Sequence, residues 1–139
     1  MGDSYIRCGK DRAWKTVRAN LGLDADIQWF GLGGLRWQGL LPFFTRSLRG
    51  RAAPDVLLIH CGGNDLGCMK SVHLVAAMKQ DLHHLRWHFQ RMKIILSLIT
   101  ERRRWTWGNP GKIDKMRRFV NSVMSAFVLT VKGGFVHHP

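Results

Sequence analysis

Two short blocks of the chain contain residues that could carry out acyl transfer. Ser4 follows Gly2-Asp3 at the start of the sequence and offers a hydroxyl nucleophile on a turn. Asn64 offers an amide donor on a second turn, Gly62 to Asp65, directly after the apolar run Val56-Leu57-Leu58-Ile59. A nucleophile and a fixed amide donor are two of the parts that acyl transfer requires, and a general base is the third.

Apolar runs alternate with patterns of helical period, and this alternation predicts an α/β fold in one domain, residues 1–139. Such alternation implies right-handed crossovers and a parallel sheet with helices on both faces. Asp55–Cys61 is the clearest strand and is apolar on both faces, as buried parallel strands are. The other predicted strands are Ile27–Phe30, Ile94–Ile99 and Phe135–His137, and the predicted helices are Asp11–Asn20, Leu35–Leu48, Ser71–Gln90 and Ile113–Phe127.

The order of three blocks resembles the SGNH (GDSL-type) hydrolases. Gly2-Asp3-Ser4 is similar to block I of that family, Gly33-Gly34 to block II, and Gly62 to Asp65 to block III. The amino-acid sequence around these blocks is also similar to SGNH-like reading frames of vertebrate mobile elements. The resemblance spans nearly the whole chain and implies a flavodoxin-like, three-layer fold.

The resemblance implies a role for three residues. Ser4 would be the nucleophile and would give one backbone N–H to the oxyanion, Gly34 would give a second N–H, and Asn64 would give a side-chain N–H. The substrate would be a small ester. The residues alone leave other interpretations open, because Ser4 could cap a helix and Asn64 could be a turn residue without chemistry.

Two departures from the family pattern weaken the expectation of activity. The family supplies its catalytic His and Asp as Asp-x-x-His near the C-terminus, and no such motif occurs here, where the last acidic residue is Asp114. The family also has an apolar strand before block I, whereas only Met1 precedes Gly2. We therefore expect a sheet truncated at both ends and a site that is inactive because it lacks a base.

The charge of the chain supports a second, noncatalytic interpretation. Its net charge is +13, which favours anionic partners such as nucleic acid, although a basic solvated surface is the simpler explanation. The densest basic segment interleaves arginines with aromatic residues, a combination that suits phosphate contact and base stacking. The candidate nucleic-acid-binding residues are Arg102, Arg103, Arg104, Trp105 and Trp107.

The remaining patterns predict no cofactor and no metal site. His84 and His88 have the i, i+4 spacing of metal ligands, but a solvated helix face explains them better. The three cysteines form no disulfide framework. No signal peptide and no transmembrane segment is evident, so we expect an intracellular protein, either cytoplasmic or nuclear. The oligomeric state and the substrate do not follow from the sequence.

Overall fold

The computed structural model describes residues 1–16, 21, 23–105 and 108–138. Within them the chain forms a three-stranded sheet and four α-helices. In chain order these are α1 (Ser4–Thr16), α2 (Leu40–Ser47), β1 (Val56–Ile59), α3 (Ser71–His88), β2 (Lys93–Ser97), α4 (Pro110–Thr130) and β3 (Gly134–Val136), with a short 3-10 helix, Trp37–Gly39, before α2.

The sheet is parallel throughout, which confirms the predicted α/β class. Its strands lie in the order β1-β2-β3, with Leu57 beside Ile94 and Leu96 beside Phe135. Parallel neighbours need a crossover connection, and α3 and α4 provide these connections. The carboxyl ends of all three strands therefore meet at one edge of the sheet.

The first three residues extend the sheet on the free side of β1. Gly2 pairs in parallel with both His60 and Gly31. The predicted strand Ile27–Phe30 does not form, because pairing on this side is limited to the isolated bridge at Gly31. On one side the Met1 amino group donates to the Leu58 carbonyl at 2.7 Å, and the His60 N–H donates to the Met1 carbonyl at 2.9 Å. Members of the family have a longer strand at this place in the sheet. Here Met1–Asp3 occupies the same place, but only at the level of the strand ends.

Glycine is required at position 2 because the chain is tightly enclosed there. A Cβ atom on Gly2 would lie 2.0 Å from the His60 carbonyl oxygen and 2.8 Å from the Ile6 side chain. Backbone and helix α1 occupy that space, so no larger residue fits without moving the sheet. Gly2 therefore allows α1 to begin directly above the sheet edge.

Helices cover both faces of the sheet, but unequally. Leu57 and Ile59 point to one face, where they join the main core with residues from α3 and α4. Tyr5 of α1 packs on His60 of the opposite face, with ring centroids 5.5 Å apart. On that second face Val56 is 51% exposed and Leu58 39% exposed, so the prediction that β1 is buried on both faces was wrong. The contact between α1 and β1 is at His60, at the carboxyl end of the strand, and it leaves Val56 and Leu58 uncovered.

Helix α3 buries most of the residues that the sequence predicts for its core face, whereas α4 buries a partly different set. The helical period of the sequence predicts core stripes of Val75, Met78, Leu82, Leu85 and Phe89 in α3 and of Ile113, Met116, Val120, Val123 and Phe127 in α4. The first four residues of the α3 stripe are buried, whereas Phe89 lies just beyond the helix end and is only partly buried. In α4 the buried residues are Ile113, Val120, Met124 and Val128, while the predicted Met116, Val123 and Phe127 are only partly buried.

The helix starts differ from prediction because of capping. Asn109 accepts hydrogen bonds from the N–H groups of Gly111 and Lys112, so α4 begins at Pro110 instead of Ile113. Similarly, α1 begins at Ser4 instead of Asp11, and the predicted end of that helix lies outside the described residues.

The predicted helix Leu35–Leu48 is divided in two. The 3-10 helix Trp37–Gly39 precedes α2, and Pro42 lies in the first turn of α2, where its missing N–H removes no helical hydrogen bond. None of the helices in the described part of the chain is long and apolar enough to cross a membrane.

Candidate functional site

Ser4 is the first residue of α1, at the carboxyl edge of the sheet. The preceding Asp3 is fully buried, and its Oδ1 accepts a hydrogen bond from the Tyr5 N–H at 2.9 Å. Asp3 therefore caps the helix. Ser4 is half-buried and lies in the first turn, not on a turn before the helix. A helix N-terminus stabilises negative charge on groups that lie close to it.

Asn64 lies in the loop that follows β1. Its Nδ2 donates to the Leu35 carbonyl at 3.0 Å, which ties the loop to the segment containing Gly34. The next residue, Asp65, is buried and accepts a hydrogen bond from the Trp37 N–H at 2.9 Å, as a capping group should. Burial raises the pKa of Asp65, and the hydrogen bond from Trp37 and the charge of Arg36 oppose that rise.

Gly34 occupies a tight turn beside Asn64. Its φ of +73° lies in the left-handed region, and the Leu35 N–H donates to the Leu32 carbonyl at 3.2 Å to close the turn. Nothing lies within 4 Å of the place where a Cβ would stand. Gly34 thus leaves open space at the position from which the resemblance draws an oxyanion donor.

Arg102 connects the block containing Ser4 with the block containing Asn64. Its Nη2 lies 3.3 Å from Asp3 Oδ2, and its Nη1 donates to Asn64 Oδ1 at 3.1 Å. The guanidinium also lies over two aromatic rings, at 5.2 Å from the Tyr5 centroid and 5.5 Å from the Trp105 centroid. All three predicted site segments are therefore joined by direct contacts at one edge of the sheet.

The position of Arg102 differs from the sequence interpretation. Arg102 was grouped with the residues that could bind nucleic acid, but an ion pair with Asp3 already engages it. Arg103 and Arg104 are exposed, and Trp105 is half-buried. Trp107 lies outside the described residues. Arg102 lies a few residues after β2, and in a parallel sheet the ends of the strands lie close together. That location is the sequence signal that could have placed Arg102 at the site.

A second polar cluster, which sequence reasoning missed, lies beneath α1. Ser97 Oγ lies 3.0 Å from His60 Nδ1 and 2.7 Å from His138 Nε2. One hydroxyl carries one proton, so Ser97 can donate to at most one imidazole and accepts from at least one. His60 and Ser97 are both buried. Because His60 and Ser97 have apolar strand neighbours in the sequence, no motif marked them in advance.

The surroundings of His60 lower the pKa of its imidazole. Burial lowers its pKa, and the charges of His138, Arg102 and the chain amino group lower it further, while the Asp3 carboxylate raises it. Among the described residues, no hydrogen bond joins a histidine to Ser4.

The cysteines and the histidines on α3 add no chemistry to this edge. Cys61 is buried, and its burial strongly raises the pKa of the thiol, which keeps it protonated. His84 and His88 stack on one another with centroids 4.0 Å apart. The described residues contain no group of three His, Cys, Asp or Glu side chains that could hold a metal ion.

Comparison with known proteins identifies the fold and leaves the family open. No family model and no curated protein matches the sequence. A solved structure from Streptococcus pneumonia, provisionally described as a platelet activating factor, is similar with a TM-score of 0.69 and 19% identity. The match covers 97% of this chain and 62% of that one. The chain thus shares an α/β fold with a protein of which it spans less than two thirds.

The buried His60 predicts a pH dependence of stability. Its pKa in the folded protein lies below the value of about 6.5 in an unfolded chain, so the unfolded state takes up the proton first as pH falls. The contribution of His60 to the free energy of unfolding is therefore fully present above about pH 6.5 and is lost progressively below it.

Urea unfolding between about pH 7.5 and about pH 5 measures this effect. We expect His60→Gln to flatten the profile relative to the native chain, whereas His73→Gln, a change at an exposed histidine, leaves the slope intact. Identical slopes for the native chain and His60→Gln would contradict the assignment.

Proposed function

We propose that this chain carries the site of an SGNH-type serine ester hydrolase. The observation that carries the proposal is the pair of bonds from Arg102, which joins Asp3, next to Ser4, to Asn64. The order of the three blocks along the sequence supports the same assignment. The fold shared with the streptococcal structure supports the scaffold only.

In the proposed reaction Ser4 Oγ attacks the carbonyl carbon of an ester. A bond forms between Oγ and that carbon, and the carbonyl oxygen becomes an oxyanion. The bond to the alcohol then breaks, the proton of Ser4 leaves with the alcohol, and acyl-Ser4 remains. Water hydrolyses this intermediate and restores the hydroxyl.

The proposed oxyanion donors are the Ser4 and Gly34 N–H groups and Asn64 Nδ2. An amide nitrogen carries two hydrogens, and the bond to the Leu35 carbonyl uses one of them. The second remains for the oxyanion. Loss of one such donor typically lowers the rate by ~10²–10³.

The proposed site is poor in turnover because no base is positioned at Ser4. A serine hydroxyl is a weak nucleophile without a base within hydrogen-bond reach. The Asp-x-x-His motif is absent, and His138 is engaged by Ser97. We therefore expect slow acylation by reactive probes and little multiple turnover of ordinary esters.

Labelling with a fluorophosphonate tests this proposal. The native chain should acquire one phosphonyl group on Ser4, detected by intact mass and peptide mapping, and Ser4→Ala should acquire none. Asn64→Ala should label more slowly by ~10²-fold, because it lacks an oxyanion donor.

The matched control for this labelling is Ser97→Ala, since Ser97 is hydrogen-bonded to two histidines and is the strongest competing serine. We expect this variant to label on Ser4 as the native chain does. Label found on Ser97, or no label on the folded native chain, would overturn the proposal.

A second candidate function, nucleic-acid binding without catalysis, has support from two exposed arginines. Arg103 and Arg104 remain exposed beside the half-buried Trp105, and the chain has a net charge of +13. Phosphate contacts and stacking on Trp105 would favour single strands. Arg102 stays a candidate from the sequence, but it bonds to Asp3 and Asn64, so the two exposed arginines give the cleaner test.

The salt dependence of binding to a single-stranded oligonucleotide tests the second candidate. If each arginine contacts one phosphate, replacing Arg103 and Arg104 with Ala should reduce the slope of log K against log salt by ~1.4. Replacing Arg117 and Arg118, which pair with Asp114, changes the net charge equally and is the control. Equal losses of slope in both variants would show that general charge, not this segment, binds the strand.

A further inference from the structure

We propose that Arg102 is a positioning residue that fixes which end of the Asn64 amide faces the oxyanion. The inference rests on the proposed function, because it assigns a role within the same site. It goes beyond the three blocks of the sequence, none of which contains Arg102. It also gives the loop after β2 a part in the site.

The two ends of the Asn64 amide have different partners. Oδ1 accepts from Arg102 Nη1 at 3.1 Å, and Nδ2 donates to the Leu35 carbonyl at 3.0 Å. Rotating the amide by 180° would place its NH₂ group next to the guanidinium, so that two donors face each other. It would also place the amide oxygen next to the Leu35 carbonyl oxygen, so that two acceptors face each other. Both contacts would be lost, so the guanidinium keeps Nδ2 on the side of Gly34.

The guanidinium is itself held from several directions. Its Nη2 is paired with the buried Asp3 carboxylate, and its Cζ lies over the rings of Tyr5 and Trp105. A Cβ on Gly63 would lie 2.6 Å from Nη2, so the glycine at this position leaves room for the arginine. A fixed planar fork can satisfy Asp3 and Asn64 together, whereas the point charge of a lysine cannot do so with the same geometry.

This arrangement predicts that Arg102 acts through Asn64 and not through its charge. Asp3 neutralises the guanidinium, so removing both charges together, as in Asp3→Asn/Arg102→Met, changes the local field little. The effect of losing Arg102 should instead match a partial loss of the Asn64 donor. Its variants should therefore slow the labelling of Ser4 only while Asn64 is present.

The experiment combines fluorophosphonate labelling rates with the side-chain amide NMR signals of Asn64. Arg102→Met keeps an apolar stem near Tyr5 and Trp105 but removes every donor. We expect it to lower the labelling rate of Ser4 at least ~10-fold, toward the ~10²-fold loss expected for Asn64→Ala. In the Asn64→Ala background the same change should have no further effect. Arg49→Met, at an exposed arginine that belongs to neither candidate site, is the matched control and should leave the rate unchanged.

The NMR measurement separates this inference from the proposed function. In the native chain the two Asn64 side-chain N–H signals should be well separated and rigid, and in Arg102→Met they should become mobile. This result is expected even if Ser4 does not label, in which case the hydrolase proposal fails and the positioning role stands. Unchanged Asn64 signals in Arg102→Met would overturn the inference, and so would an equal rate loss in the Asn64→Ala background.

A second pair of variants keeps the test decisive if Arg102→Met does not fold. Removing Arg102 leaves the Asp3 carboxylate buried without its cation, which is strongly destabilising. Asp3→Asn retains a good helix cap and removes that charge. The comparison is then between Asp3→Asn and Asp3→Asn/Arg102→Met, with the same expected loss and the same contradicting results.

Discussion

The buried ion pair between Asp3 and Arg102 is the constraint on which the candidate site depends. A buried carboxylate is tolerated only where its oxygens are satisfied, and here the Tyr5 N–H takes one oxygen and Arg102 takes the other. The same carboxylate therefore starts α1 and anchors the loop after β2. Since Ser4 follows Asp3, the ion pair also fixes where the candidate nucleophile stands.

Much of the fold could be predicted from the sequence because burial leaves a clear pattern. The runs that became β1 and β2, and the stripe Val75, Met78, Leu82 and Leu85, reflect side chains that one core buries together. The errors arose where a local cap or an uneven layer decided the outcome. Asp3 moved the start of α1, and the limited cover on the second face left Val56 and Leu58 exposed. Neither effect changes the hydrophobic period that the prediction used.

The candidate site was only partly predictable, for a different reason. Ser4, Gly34 and Asn64 lie in short motifs whose residue types are close together along the chain. Arg102 lies 99 residues from Asp3, and the histidines flanking Ser97 lie 37 and 41 residues away from it. Contacts of this kind depend on which strand ends lie next to each other in the fold. The sequence alone therefore identified Arg102 only as one of several basic residues. Its neighbours Arg103 and Arg104 have the same type but no comparable position.

The geometry of the candidate site therefore depends on the interaction between Asp3 and Arg102, two residues far apart in the sequence. A double-mutant cycle with Asp3→Asn, Arg102→Met and the combined variant, measured by urea unfolding, tests it most directly. We predict that the two changes are not additive, with a coupling free energy of about 1–3 kcal/mol. Changes in unfolding free energy that add to within about 0.5 kcal/mol would show that Asp3 and Arg102 do not hold the site together.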